Sequence, residues 1–282
     1  MSAATLTPQA GRVTGPGVSF PRTLNSEWIK FTTLRSTWVL LATTVLVMVG
    51  IGLLGGWGIA SGMEQMEAAG QDPAAAGMDS SLLYLMTSGG LDFGQLIIGS
   101  LGVLLIASEY STGMIRSTMT AVPSRLSPLF AKALVVAVVA AVVGIVSSFI
   151  TYFLLQPILA NYGREFGLDV DHLMQSMLLS GVYLAVVAVM GLALGSLLRN
   201  SAGGIVTLVV LLLVLPIVAQ IIPFDWVQDG VMPYLPSNAG RQMVMLETAD
   251  GDLTQWQGGL VMAAWAAVLL AGAAVTTKAR DV

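Results

Sequence analysis

Residues 133–156 read ALVVAVVAAVVGIVSSFITYFLLQ, with no charge and no alternation of apolar and polar positions. A helix needs about 20 apolar residues to cross the hydrocarbon of a bilayer. Only a helix or a closed barrel satisfies its backbone there. Barrel strands alternate with period two, and this run does not, so it reads as a membrane-spanning helix. Five more runs of the same kind surround it. The predicted spans are 37–59, 91–108, 131–156, 176–198, 202–222 and 256–277. The second, centred on FGQLIIGSLGVLLIAS, is the shortest and least apolar. The fold class is therefore all-α, a polytopic membrane protein with six transmembrane helices.

Composition supports this and removes other classes. Hydrophobic residues make up 55% of the chain and charged residues 10%, against about 25% charged in a soluble domain. So few charges cannot cover a water-facing surface. There is no cysteine, hence no disulfide, thiolate metal site or thiol nucleophile. The net charge of -4 gives no basic surface for nucleic acid. The single histidine, His172, lies near Asp169 and Asp171; a metal site needs more ligands than that, and it reads as a surface-loop residue. None of the lysines follows a glycine, so a GxxxxGK[ST] nucleotide loop is absent and ATP hydrolysis is not expected of this chain. HExxH and GxSxG are absent as well.

Charge orients the spans. With the N-terminus inside, ten of the Lys and Arg residues fall on the cytoplasmic side, and only Arg164 and Arg241 fall outside. Glu27, Glu109 and Asp281 are inside, and the other acidic residues outside. This is the positive-inside pattern, with both termini cytoplasmic. No ionisable residue lies near the middle of a span, which argues against a proton- or ion-coupled carrier. Pro216 is expected to kink the fifth span. The pairs Gly52/Gly56 and Gly191/Gly195 allow close helix approach, either within the chain or across a homodimer seam.

The connecting segments are informative too. Residues 1–23 lack the apolar core of a signal sequence and are expected to be a flexible cytoplasmic N-terminus, with residues 24–282 as one membrane domain. In 24–36, Leu24, Trp28 and Phe31 share a face, with Lys30 and Thr33 opposite. That pattern predicts an amphipathic interface helix, with Arg35 near its apolar arc and able to snorkel. Residues 109–128 are polar and broken by Gly113 and Pro123, and are expected to form short surface helices open to a partner. Residues 60–90 are expected to form a mobile outer loop. In 223–255, Trp226 and Tyr234 suit the outer interface, and Ser237 or Asn238 is placed to cap a helix over 239–247.

Three segments carry a family resemblance: NSEWIKFTTLRSTWVLL (25–41), SEYSTGMIRSTMTAVPSRLSPLFAKAL (108–134) and YLPSNAG (234–240). Around six spans they resemble the permease subunits of ABC-2 type ABC transporters. The resemblance implies a membrane domain that pairs with a second permease subunit, a homodimer mate or a related chain. It implies two separate cytoplasmic ATPase subunits that bind ATP and magnesium, with no cofactor and no enzymatic activity in this chain. Residues 24–36 would be the interface helix, carrying Glu27, Trp28, Lys30, Phe31 and Arg35. Residues 109–128 would carry the coupling helix, with Glu109, Tyr110, Met114, Ile115, Arg116, Met119 and Arg125. By the resemblance, Glu109 would pair with a basic group of the ATPase or of the 24–36 helix. Arg116 and Arg125 would meet the ATPase or anionic lipid headgroups, and Met114, Ile115 and Met119 would give the apolar contact. Residues 225–247 would form short outer re-entrant helices before the last span. The implied function is that of a plasma-membrane permease, exporting an amphipathic, drug-like or lipid-like substrate. The alternative is a membrane sensor or scaffold that transports nothing.

Overall fold

The computed structural model describes residues 19–115, 126–249 and 251–279. Among them, six helical stretches are long and apolar enough to cross a membrane. Helix α1 (Phe20–Thr33) starts four residues ahead of the predicted position. Ser19 precedes it in extended backbone and Pro21 lies in its first turn, where a fixed φ and a missing N–H cost nothing. Leu34 breaks the helix (φ -81°, ψ 117°), and the Trp38 indole N–H donates to Thr32 O at 2.9 Å across the elbow. The first span, α2 (Arg35–Ala68), runs past the predicted end at 59.

The expected mobile loop 60–90 is instead largely ordered helix. After α2 comes a short turn over Ala74–Ala76 and then helix α3 (Ser80–Leu85). Asp79 caps α3 by accepting from Ser81 N at 2.8 Å. Ala60, Met63 and Leu83 pack with Leu155 and Leu159, and Arg164 bonds Glu67 at 2.6 Å. Those contacts hold the acidic ends of two spans together, so the chain beyond the predicted end at 59 stays helical.

The second span, α4 (Leu91–Ser111), lies in the middle of the fold, although it was the weakest span in the sequence. Two-thirds of its apolar window is buried inside the protein, against 28% for α2. A helix screened from lipid by other helices does not need a uniformly apolar surface, and Gly94, Gln95, Gly99 and Gly102 are all buried. The remaining spans are α5 (Ser127–Ala160), α6 (Leu173–Leu198), the broken pair α7 (Ser201–Val209) and α8 (Leu215–Ile221), and the last span, which follows the outer segment. Residues Val210–Val214 form a π turn between α7 and α8. It lies just ahead of Pro216, whose ring and missing N–H disturb an α-helix there.

Helix α6 is the hub, packed against α4, α5 and the last span. At Gly191 an added Cβ would fall on the backbone of Gly99, and at Gly102 on the Ala188 carbonyl. At Gly195 a Cβ would lie 2.7 Å from Val103 O. Gly52 and Gly56 take up the Thr151 and Leu155 side chains. Both GxxxG pairs are thus used within the chain. Next to this seam, Ser148 and Ser180 share a buried hydrogen bond of 2.8 Å between α5 and α6.

The outer segment folds as α9 (Asp225–Gln228), a 3-10 turn (Met232–Tyr234) and α10 (Pro236–Val244), followed by the last span, α11 (Gln255–Ala279). It is re-entrant. Gly240 lies against the ring of Tyr183, and Tyr234 O accepts from the Trp265 indole at 2.9 Å. Tyr183 and Trp265 each lie about 15 Å along their helices from the first residues, Leu173 and Gln255, at 1.5 Å per residue. Helices α6 and α11 shield the dipped backbone, which lipid could not satisfy. The expected cap is not used. The helix begins at Pro236, ahead of both candidates, and Asn238 Nδ2 donates instead to Met232 O at 2.8 Å.

The α4–α6 seam yields a test. Gly191→Ala should destabilise the protein by about 1–3 kcal/mol, because a methyl group cannot enter without moving backbone. Gly58→Ala, where a Cβ meets nothing within 4 Å, should leave the unfolding temperature in detergent unchanged. Equal temperatures for the two variants would refute the close packing.

Candidate functional site

Four charges meet at the basic end of the bundle. Glu27 lies on the inner face of α1, Glu109 in the last turn of α4 and Lys132 in the second turn of α5, all at most 7% exposed. Lys30, one turn after Glu27, is half-buried. Its Nζ lies 2.7 Å from Glu27 Oε1 and 3.1 Å from Glu109 Oε1. Lys132 Nζ lies 2.9 Å from Glu109 Oε1 and also bonds Glu27 Oε2. Each lysine therefore holds both carboxylates, in a closed, neutral ring across three elements. Burying one charge alone is prohibitive; a ring in which every charge has two opposite partners makes the burial tolerable, though not in itself stabilising. Burial alone would lower the Lys30 pKa. The Glu27 and Glu109 carboxylates outweigh it and hold the pKa above its ordinary 10.5.

The ring revises the α1 reading. The buried face of that helix is Thr23, Glu27 and Phe31, while Trp28 is 47% exposed and stacks on Phe31 with ring centroids 6.2 Å apart. Lys30, expected on the far side, turns into the bundle, because the compensating carboxylates are there. Arg35 is exposed. Below the ring lies a cavity of ≈ 240 Å³, lined among others by Phe31, Leu105, Ser108, Glu109 and Met114.

The start of the predicted coupling segment continues from this site. Helix α4 ends at Ser111, and Gly113 turns the chain with φ 72°. Ile115 is buried and Met114 is 47% exposed. Tyr110 lies beneath the Arg199 guanidinium, whose central carbon is 5.0 Å from the ring centroid. Arg116, Met119 and Arg125 lie outside the described residues.

Of the alternatives for Glu109, the structure shows the pairing with the 24–36 helix, through Lys30. The reading from sequence missed Lys132. Its signal was present: it is the one charge within 131–156, and an ionisable residue at the head of an apolar span needs a partner. At the opposite, acidic end, Arg241 Nη2 bonds both oxygens of Asp92 at 3.0 and 2.9 Å, tying α10 to α4. Below it the Tyr183 hydroxyl donates to Gln95 Oε1.

Six apolar spans with a buried charge ring at one end describe a multi-pass membrane protein. Residues 23–220 match the family model of the ABC-2 family transporter protein. The match covers more than half of the chain, which belongs to this family. It is therefore the permease component of an ABC transporter, a transport rather than a catalytic part, in a family whose members work with an ATPase subunit. No curated protein matches the chain.

Two expectations follow from the ring. Lys132→Met should destabilise the fold by about 3–5 kcal/mol, because it strips a compensating charge from buried carboxylates. Arg241→Ala, in an exposed pair, should cost about 1 kcal/mol or less. The double variant Glu109→Gln with Lys132→Met, which removes one charge of each sign, should recover part of the loss. Unfolding in mixed micelles measures all three. The second expectation concerns pH. Because its folded pKa is raised, Lys30 contributes stability that is complete below the ordinary lysine value of 10.5 and is lost as pH rises through the folded value. The unfolding-temperature gap between wild type and Lys30→Met should stay constant around neutrality and shrink only in strong alkali. A gap that closes on acidification from neutrality to mildly acidic pH would contradict this.

Proposed function

We propose that the chain is one half of an ATP-driven exporter in the plasma membrane, paired with a second copy or a related permease, with both termini in the cytoplasm. Separate cytoplasmic ATPase subunits bind ATP and magnesium and dock on the segment that begins at Glu109. The observation that carries this reading is the charge ring. It joins the last turn of α4, which leads into that segment, to α1 and to the head of α5. Movement of the docked segment then tilts three elements together, because separating any one of them would leave buried charges unpaired. Met114, exposed at the start of the segment, supplies apolar contact to the ATPase. On this reading Arg116, Met119 and Arg125 contribute to the same docking contact, and Glu27, Trp28, Lys30, Phe31 and Arg35 make α1 the lever at the interface. The spans carry no ionisable residue near their centres, which suits an amphipathic, drug-like or lipid-like cargo and a power source outside the membrane domain.

The test is reconstitution of the chain in lipid with its candidate ATPase. Met114→Asp should weaken co-purification of the ATPase about tenfold or more, as loss of a central apolar anchor does, while the permease itself stays folded. Deleting 112–125 should abolish stimulation of ATP hydrolysis. If the deletion changes neither association nor hydrolysis, the coupling role fails and a non-transporting sensor or scaffold becomes the better reading.

A further inference from the structure

Two basic residues among the described ones lie at the acidic end of the bundle, Arg164 and Arg241. Arg164 is largely covered and spent on Glu67. Arg241 is placed differently. Its side chain is 57% exposed and that of its partner Asp92 47%. A pair so open adds little to stability. It is also made by one nitrogen, since Nη2 alone meets both carboxylate oxygens, at 3.0 and 2.9 Å. A forked pair would use two nitrogens. A guanidinium carries five N–H donors, and at an exposed side chain the others stay open to a ligand.

Both charges line a cavity of ≈ 240 Å³ between the end of α3, α4, α6 and α10. Leu85, Met86, Leu91, Val244 and Met245 give it apolar walls. Tyr183 lines it as well, with its hydroxyl proton already given to Gln95 Oε1. The lining holds no other charge among the described residues. The cavity thus offers one cation, one anion and hydrocarbon. That balance selects the occupant. A lone anion drawn to Arg241 is repelled by the adjoining Asp92, and a lone cation drawn to Asp92 is repelled by Arg241. A molecule with an ammonium and an acidic group a few atoms apart satisfies both. The volume equals roughly eight waters at about 30 Å³ each, less than a drug-sized pocket. It has room for a charged head and the start of an apolar body.

We propose that this cavity binds the zwitterionic head of an amphiphile, with its ammonium on Asp92 and its acidic group on Arg241. The planar fork of the guanidinium suits two oxygens of a phosphate or carboxylate at once. The apolar walls take the adjoining part of the body. As a place for cargo the cavity rests on the exporter reading; as a binding site it does not, and its test needs no ATPase.

The experiment uses the full chain in maltoside micelles at neutral pH, with native mass spectrometry to count the ligand retained. Three probes of equal chain length are compared: lysophosphatidylethanolamine, a zwitterion; lysophosphatidylglycerol, an anion; and an alkylamine, a cation. Wild type should retain the zwitterion about tenfold better than either other probe, as expected for one more charge-assisted contact. Arg241→Gln should lose that preference and favour the alkylamine. Asp92→Asn should lose it and favour lysophosphatidylglycerol. A pair that only ties α10 to α4 would not invert the ranking in opposite directions. Asp252→Asn, an exposed carboxylate outside the lining, should keep the wild-type ranking. Equal retention of the three probes by wild type overturns the proposal, and so does an unchanged ranking in both folded variants. If neither variant folds, the wild-type ranking decides alone. Free phenylalanine, a zwitterion without a lipid chain, separates the two sources. Displacement of the lysolipid by phenylalanine at equal concentration, lost in Arg241→Gln, assigns the cavity to small free zwitterions; lysolipid binding that phenylalanine leaves intact assigns it to a lipid head.

Discussion

Helices in hydrocarbon gain little by hiding apolar side chains from one another, since the lipid is equally apolar. What holds them together is close approach, and the α4–α6 seam is where this chain commits to it. Gly99, Gly102, Gly191 and Gly195 bring backbone against backbone. The other elements take their positions from that pair. Helix α5 joins α6 through Gly144, Gly181 and the Ser148–Ser180 hydrogen bond. The re-entrant α10 rests on Tyr183 of α6, and the α4 end that supports the charge ring is aimed by the same seam.

Each end of the bundle is closed by a different kind of polar contact. At the basic end the ring is buried and neutral, and its members lie on three elements. Such a cluster resists separation more than it adds to stability, because any opening exposes unpaired charge to a poor solvent. At the acidic end the Arg241–Asp92 pair is exposed, worth little and easily released. The joint at the basic end is thus stiff and the one at the acidic end loose.

Much of this was legible in the sequence, and the exceptions have physical causes. Run length gave six spans and charge gave their two ends, because hydrocarbon thickness and solvation act on every residue of a span. Glu109 was singled out by the family resemblance, and α1 by the spacing of Leu24, Trp28 and Phe31 together with the same resemblance. The facing of α1 was misjudged because an apolar arc has two apolar environments to choose from. Trp28 faces outward, while Glu27, polar and apparently out of place, faces in. Span two looked weak for the same reason: hydropathy measures fitness for lipid, and α4 is screened from it. Lys132 could not be assigned from spacing, since its partners Glu27 and Glu109 lie 105 and 23 positions away.

The ring also sets an order of assembly. Glu27 and Lys132 are 105 positions apart, and a chain enters the membrane from its N-terminus. When α1, α2 and α4 are in place, two carboxylates share the single ammonium of Lys30, a net negative cluster that must stay near water. Only when the head of α5 arrives does the charge balance and the joint become dry enough to close. The third span thus supplies the charge that balances the joint between the first two and α1, and it comes from a part of the chain well beyond them.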